Sequence, residues 1–205
     1  YCFAESLVWQ PEQGTQVLII DRESGTYRFV EVEPFFTLHL ANAWDEGDEL
    51  VVDLCNYDDF TIMETLSEVV TGEVKHPAEC YLERLRITGG TLTRERLCST
   101  SMEFPRVVDE GWGTRRCRYF GTSWNGRAWL SAPMAFDLDS GECALTTMEA
   151  HQWAGEPVPV PKSGNADDDA WLLVTVLDTR AERSELWILD SENITAPIAR
   201  AVLPQ

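Results

Sequence analysis

The chain has 205 residues and carries 35 Asp and Glu against 16 Lys and Arg, a formal charge of −19. Binding a phosphate backbone needs clustered cations, so this balance excludes a nucleic-acid partner. An apolar fraction of 44 % with eight Trp and eight Phe supplies a core and excludes a disordered chain, and no apolar run approaches the ~20 residues needed to cross a bilayer.

The acidic residues are spread along the chain, as on a solvated surface rather than in an interaction tail. Residues Tyr1 to Ser6 have neither an initiating Met nor the basic start of a signal peptide, and read as a chain entered in its middle. The cysteines Cys2, Cys55, Cys80, Cys98, Cys117 and Cys143 lie far apart without a CxxC pair. They read as reduced, mostly buried thiols of an intracellular protein, with a disulfide framework as the weaker alternative.

In chain order the first predicted elements are a hairpin, Val17–Asp21 turning through Gly25 into Tyr27–Val32. Runs of alternating apolar and polar residues bounded by Gly, Asp and Asn fold as paired strands, because those residues accept turn conformations. Strands at His39–Ala43 and Glu49–Leu54 follow, then the one helical pattern, Asp59–Val70, with Phe60, Ile62, Met63, Leu66, Val69 and Val70 on one side. A second hairpin runs from Cys80–Thr88 through Gly89-Gly90 to Leu92–Leu97. Glu103–Val108, Arg116–Thr122, Met134–Leu138 and Ala144–Met148 form the next set, and Glu156–Pro161, Trp171–Leu177, Glu185–Leu189 and Ile198–Leu203 the last. The elements therefore group as half a unit followed by three units of four antiparallel strands, repeating at roughly 50–65 residues, the pattern of propeller blades. Pattern alone leaves an irregular β-sandwich open as the alternative.

If the chain is a propeller, the first strand of each blade lines the axis, and equivalent positions on different blades converge. His39, Glu103 and Glu156 all fall on such first strands. An imidazole and carboxylates meeting on a rigid axis make a metal site, with the imidazole as ligand and the carboxylates orienting it. His76, in a Lys75-His76-Pro77 loop, reads as a solvated surface residue, and His151, near a turn, as a poor candidate ligand.

These same strands carry a family resemblance. Phe36-Thr37-Leu38-His39-Leu40-Ala41-Asn42-Ala43-Trp44-Asp45, followed by Gly47-Asp48-Glu49-Leu50-Val51-Val52-Asp53, resembles the carotenoid cleavage oxygenases, whose strand reads Phe-His-His-x-Asn-Ala-Tyr-Glu ahead of an acidic turn and Val-Val-Asp. Met102-Glu103-Phe104-Pro105 is similar to the family's Glu-Phe-Pro segment, and Gly155-Glu156-Pro157-Val158-Pro159-Val160-Pro161 to its Ser-Glu-Pro-x-Phe-x-Pro. Asp167-Asp168-Asp169-Ala170-Trp171, Arg183-Ser184-Glu185-Leu186-Trp187 and Pro197–Pro204 continue the likeness. Leu40 and Gly155 depart from the family's second His and its Ser.

The resemblance implies residues 1–205 as the C-terminal portion of one β-propeller domain, about three and a half four-stranded blades of a seven-bladed ring. It implies an iron(II)-dependent dioxygenase that cleaves a conjugated C=C bond of a carotenoid or apocarotenoid to carbonyl products. His39 would be one of four His ligands to Fe(2+), with Glu103 and Glu156 each accepting the outer N–H of a ligating His. The other three ligands would lie outside these residues, so the piece alone would be inactive. Partners would be an apolar conjugated substrate and dioxygen, with peripheral membrane contact and a cytoplasmic or plastid setting. Phe35, Phe36, Trp44, Phe104 and Trp153 are candidate tunnel residues by closeness to the axial strands. Other readings are a stilbene-cleaving dioxygenase or the visual-cycle isomerase of the same family, a non-catalytic propeller platform, and a secreted β-sandwich.

Overall fold

The computed structural model of the chain describes residues 6–69, 74–108, 113–124, 130–162 and 169–204. The expectations placed on Cys2, Val70, Asp167 and Asp168 lie outside the described residues.

Strands β1 (Thr15–Ile20) and β2 (Tyr27–Val32) pair as an isolated antiparallel ladder, Thr15 opposite Val32 and Ile20 opposite Tyr27. β3 (Leu40–Glu46), β4 (Glu49–Asn56), β5 (Tyr81–Thr88) and β6 (Thr91–Arg96) form a four-stranded sheet in that order. β7 (Glu103–Arg106), β8 (Arg118–Ser123), β9 (Ala132–Asp137) and β10 (Cys143–Leu145) form the next. The last sheet holds β13 (Ala170–Asp178), β14 (Arg183–Asp190) and β15 (Ala199–Val202), with β11 (Gln152–Ala154) and β12 (Val158–Pro161) both on the free side of β13. Every pairing is antiparallel and every sheet is laid down in chain order. This is a partial β-propeller, half a blade and three full ones.

The half blade packs by its outer strands. Val17 and Val32 meet Phe35 of the connector and Leu54, Leu85 and Leu92 of the following sheet. Larger clusters join the full blades: Tyr57, Leu82, Met102, Tyr119 and Phe136 between the first two, and Phe120, Leu172, Val174, Trp187 and Leu189 between the second and third. Helix α1 (Thr61–Val69) leaves β4 and returns to β5. It buries Ile62, Met63 and Thr65, and the Thr65 hydroxyl donates to the His76 carbonyl at 2.5 Å.

Two features differ from the sequence reading. The final sheet has five strands, because its first strand is broken: Gln152–Ala154 pairs with Val176–Asp178, and Val158–Pro161 pairs with Ala170–Leu173. The Gly155 amide still donates to the Thr175 carbonyl at 2.8 Å, and the ladder breaks at Glu156-Pro157, where Pro157 has no N–H to give. Strand ends also moved, so that His39 lies one residue before β3 and Glu156 lies between β11 and β12, while Glu103 opens β7.

Candidate metal centre

All three predicted site residues sit at irregularities of an inner, edge strand. His39 precedes a register shift between Leu40 and Asn42, Glu103 precedes one between Glu103 and Arg106, and Glu156 occupies the break just described. An extra or unpaired residue bends a strand and re-aims the side chains beside it, which regular alternation cannot do. The His39 carbonyl still accepts from the Cys55 amide at 3.0 Å, so its backbone stays anchored to β4.

The Glu103 side chain is buried, with 1 % exposure, and accepts three hydrogen bonds. His39 Nδ1 approaches Oε2 at 2.7 Å, the Phe104 amide donates to the same oxygen at 2.5 Å, and the Tyr57 hydroxyl donates to Oε1 at 2.8 Å. Because the carboxylate oxygens are acceptors, the proton of this pair resides on Nδ1. The Nε2 lone pair is then unused among the described residues, and the His39 side chain is 41 % exposed. The hydrogen bond to Glu103 raises the His39 pKa, opposed by partial burial and by Arg106, and helped by the charges of Glu103 and Glu156. Burial first, then Cys80 and Glu103, push the Tyr57 phenol far up, so it remains a donor.

Phe104 adopts φ +52, a left-handed backbone that costs a non-glycine residue free energy. That turn lets its amide reach back to the Glu103 carboxylate, and it sets the Phe104 ring 5.1 Å from the His39 ring. Gly121 on β8 permits the close approach of β7: a Cβ there would lie 2.7 Å from the Glu103 carbonyl oxygen and 2.9 Å from Met102 Cγ.

Glu156 is brought near the pair but not into contact with a histidine. It is half exposed, and its Oε2 accepts from Arg106 at 3.0 Å. His76 and His151 stand apart. His76 is exposed and bonded to Glu68 at 2.7 Å, and His151 faces Asp178 at 3.5 Å. Of the five aromatic candidates, Phe104 alone meets the His39 ring, tilted by 51°. Phe35 and Trp44 are buried in blade cores, Phe36 packs on Trp9 and Phe60, and Trp153 is exposed on β11.

An imidazole whose outer N–H rests on a carboxylate is the arrangement metal-ligating histidines use, because it fixes the tautomer and raises ligand basicity. The residues therefore fit one corner of an iron(II) site. Among the described residues, no cluster of three or more His, Cys, Asp and Glu side chains could hold an ion without further ligands.

The family described as retinal pigment epithelial membrane protein matches residues 1–205. The chain belongs to that family. It is 30 % identical over 199 residues to apocarotenoid-15,15'-oxygenase of Synechocystis sp., covering 94 % of this chain and 41 % of the relative. It is 29 % identical over 200 residues to carotenoid 9,10(9',10')-cleavage dioxygenase 1 of Pisum sativum, covering 87 % and 36 %. The crystal structure of cobalt-substituted Synechocystis apocarotenoid oxygenase superposes with a TM-score of 0.82 at 29 % identity, over 97 % of this chain and 43 % of that one. The chain thus spans less than half the length of these relatives. The family chain also has no described helix long and apolar enough to cross a membrane.

Tyr57 and Gly121 act around the site without having been predicted there, and Phe104, expected as a tunnel residue, also gives its amide to Glu103. Tyr57 follows β4 in the run Asn56-Tyr57-Asp58, which reads as an ordinary strand end. Gly121 offers only an unexplained glycine inside a predicted strand, which signals close backbone approach but not what approaches.

Proposed function

We propose that these residues are part of an iron(II)-dependent dioxygenase that cleaves a conjugated C=C bond of a carotenoid or apocarotenoid. The double bond breaks, and each of its carbons gains one oxygen atom of O2 as a carbonyl. The observation that carries the reading is the hydrogen bond from His39 Nδ1 to the buried Glu103 carboxylate, with Nε2 left unused. The names of the two relatives above, an apocarotenoid oxygenase and a carotenoid cleavage dioxygenase, give that geometry its chemical setting.

Iron(II), when bound, supplies the activation of dioxygen that the spin-paired substrate needs. The chain's own groups position it. His39 offers Nε2 as a ligand. Glu103 holds the imidazole's tautomer and plane, and the Tyr57 hydroxyl and Phe104 amide hold Glu103. Glu156, kept in place by Arg106, would accept from a second ligating histidine outside residues 1–205. The Phe104 ring covers one side of His39 and offers an apolar surface to an apolar substrate. With one His ligand among them, residues 1–205 alone do not turn over.

The test uses the full enzyme, loaded with iron and supplied with an apocarotenal and, separately, a stilbene. Iron-dependent formation of two aldehyde products from the apocarotenal, lost in His39→Ala, is expected. Cleavage of the stilbene alone reassigns the substrate class, and cleavage that survives iron removal overturns the mechanism.

A further inference from the structure

Two cysteines meet across a blade boundary away from the metal centre. Cys98 begins the connector from β6 to β7 and is 3 % exposed. Cys143 opens β10, the outer strand of the next blade, where it pairs with Phe136. Their Sγ atoms are 3.0 Å apart, and neither sulfur is bonded covalently. The Thr100 amide also donates to Cys98 Sγ at 3.4 Å.

The two thiols are not equivalent. The hydrogen bond from Cys98 lowers the pKa of Cys143, while the same contact and burial raise that of Cys98. The two directions favour the proton on Cys98 and thiolate character on Cys143. A thiolate, not a thiol, is the sulfur nucleophile. Cys143 is half buried and borders an open groove of about 360 Å³ that Arg118, Asp137 and Ser191 also line, so solutes reach its neighbourhood. The other neighbouring thiols, Cys55 and Cys80, offer the contrast. Both are fully buried, and desolvation pushes Cys55 far up, so they behave as small core residues.

We propose that Cys98 and Cys143 form an oxidisable pair that hydrogen peroxide closes into a disulfide between adjacent blades. The Cys143 thiolate attacks one peroxide oxygen and the O–O bond breaks, giving a Cys143 sulfenic acid and hydroxide, which takes up a proton to become water. Cys98 then gives up its proton and attacks the Cys143 sulfur. The S–O bond breaks, the departing hydroxide takes that proton, and a second water leaves. Two thiols are oxidised to one disulfide and one peroxide is reduced to two waters. A disulfide bond is about 2.05 Å long, so the sulfurs need to approach by only about 1 Å, within reach of side-chain rotation. The crosslink ties the outer edge of one blade to the connector that runs through Met102 into Glu103.

The experiment exposes the reduced full chain to hydrogen peroxide, blocks remaining thiols with an alkylating reagent and maps the peptides by mass spectrometry. The expected product is one peptide pair joined through Cys98 and Cys143, lighter by two hydrogens and released by dithiothreitol. In Cys98→Ser the sulfenic acid at Cys143 has no partner and is trapped by dimedone. Recovery of both cysteines as alkylated thiols overturns the proposal, as does a disulfide of any other pairing. So does irreversible oxidation of Cys143 while Cys98 stays reduced. If Cys98→Ser fails to fold, the map of the unsubstituted chain decides by itself.

Discussion

Glu103 concentrates more of the site than any other side chain, since one buried carboxylate receives His39, Tyr57 and the Phe104 amide. Glu103→Gln keeps the shape but turns one acceptor oxygen into a donor, so His39 loses its tautomer partner. In the full enzyme this substitution should lower iron content or turnover by roughly 10- to 100-fold, read by metal analysis and product formation. Tyr57→Phe removes only a donor to a charged acceptor, and should cost about 1.5–3 kcal/mol of stability by denaturant unfolding. Glu103→Gln should affect iron more than stability, and Tyr57→Phe the reverse. His39 and Glu103 were legible because each sits in a short motif with a family parallel, Leu38-His39-Leu40 and Glu103-Phe104-Pro105. Tyr57 was not, because its role arises only when β4 and β7 are brought together. No local pattern announces a hydrogen bond across 46 residues.

Among elements, the regular ladders were legible and their interruptions were not. β4, β5 and β14 announce themselves by β-branched and apolar residues ending at Gly, Asp or Asn. β11 is three residues long with its Trp153 exposed, too short for alternation to show. The register shifts that aim His39 and Glu103 leave no trace in periodicity, since they are departures from it. Gly121→Ala tests how tightly β7 is held: the added methyl meets the Glu103 carbonyl and Met102, and should cost about 1–3 kcal/mol while lowering iron content in the full enzyme. The helix offers a pH test. Glu68 near the end of α1 accepts the amides of Lys75 and His76 and the His76 ring, and these bonds hold its pKa down at about 2 from 4.5. A depressed folded pKa contributes stability above the unfolded value that fades as pH falls through the folded one. Amide exchange at Lys75 and His76 should therefore accelerate, relative to its intrinsic rate, between pH about 4.5 and about 2, and Glu68→Gln should abolish that transition.

For the whole molecule, what joins one blade to the next matters as much as any ladder. Besides the apolar clusters, a buried ionic knot ties β4, β5 and β8 together. Asp53 accepts from Arg84 Nε and Nη2, each at 2.8 Å, and from the Tyr119 hydroxyl, while Trp44 lies under the Arg84 guanidinium at 4.9 Å. Removing one partner strands an uncompensated buried charge, so Arg84→Ala should cost about 3–5 kcal/mol by denaturant unfolding, far more than the exposed pair Arg115–Asp139 is worth. Both Asp53 and Arg84 are buried, and Tyr119 of the next sheet closes over them. The left-handed backbone at Phe104 has a consequence at this scale as well. It costs about 1–2 kcal/mol that glycine would not incur, yet the same residue supplies the ring beside His39. Selection for heat resistance alone would drift position 104 toward glycine, whereas selection for turnover would retain the aromatic. Libraries of this protein sorted under the two regimes should therefore diverge at that position.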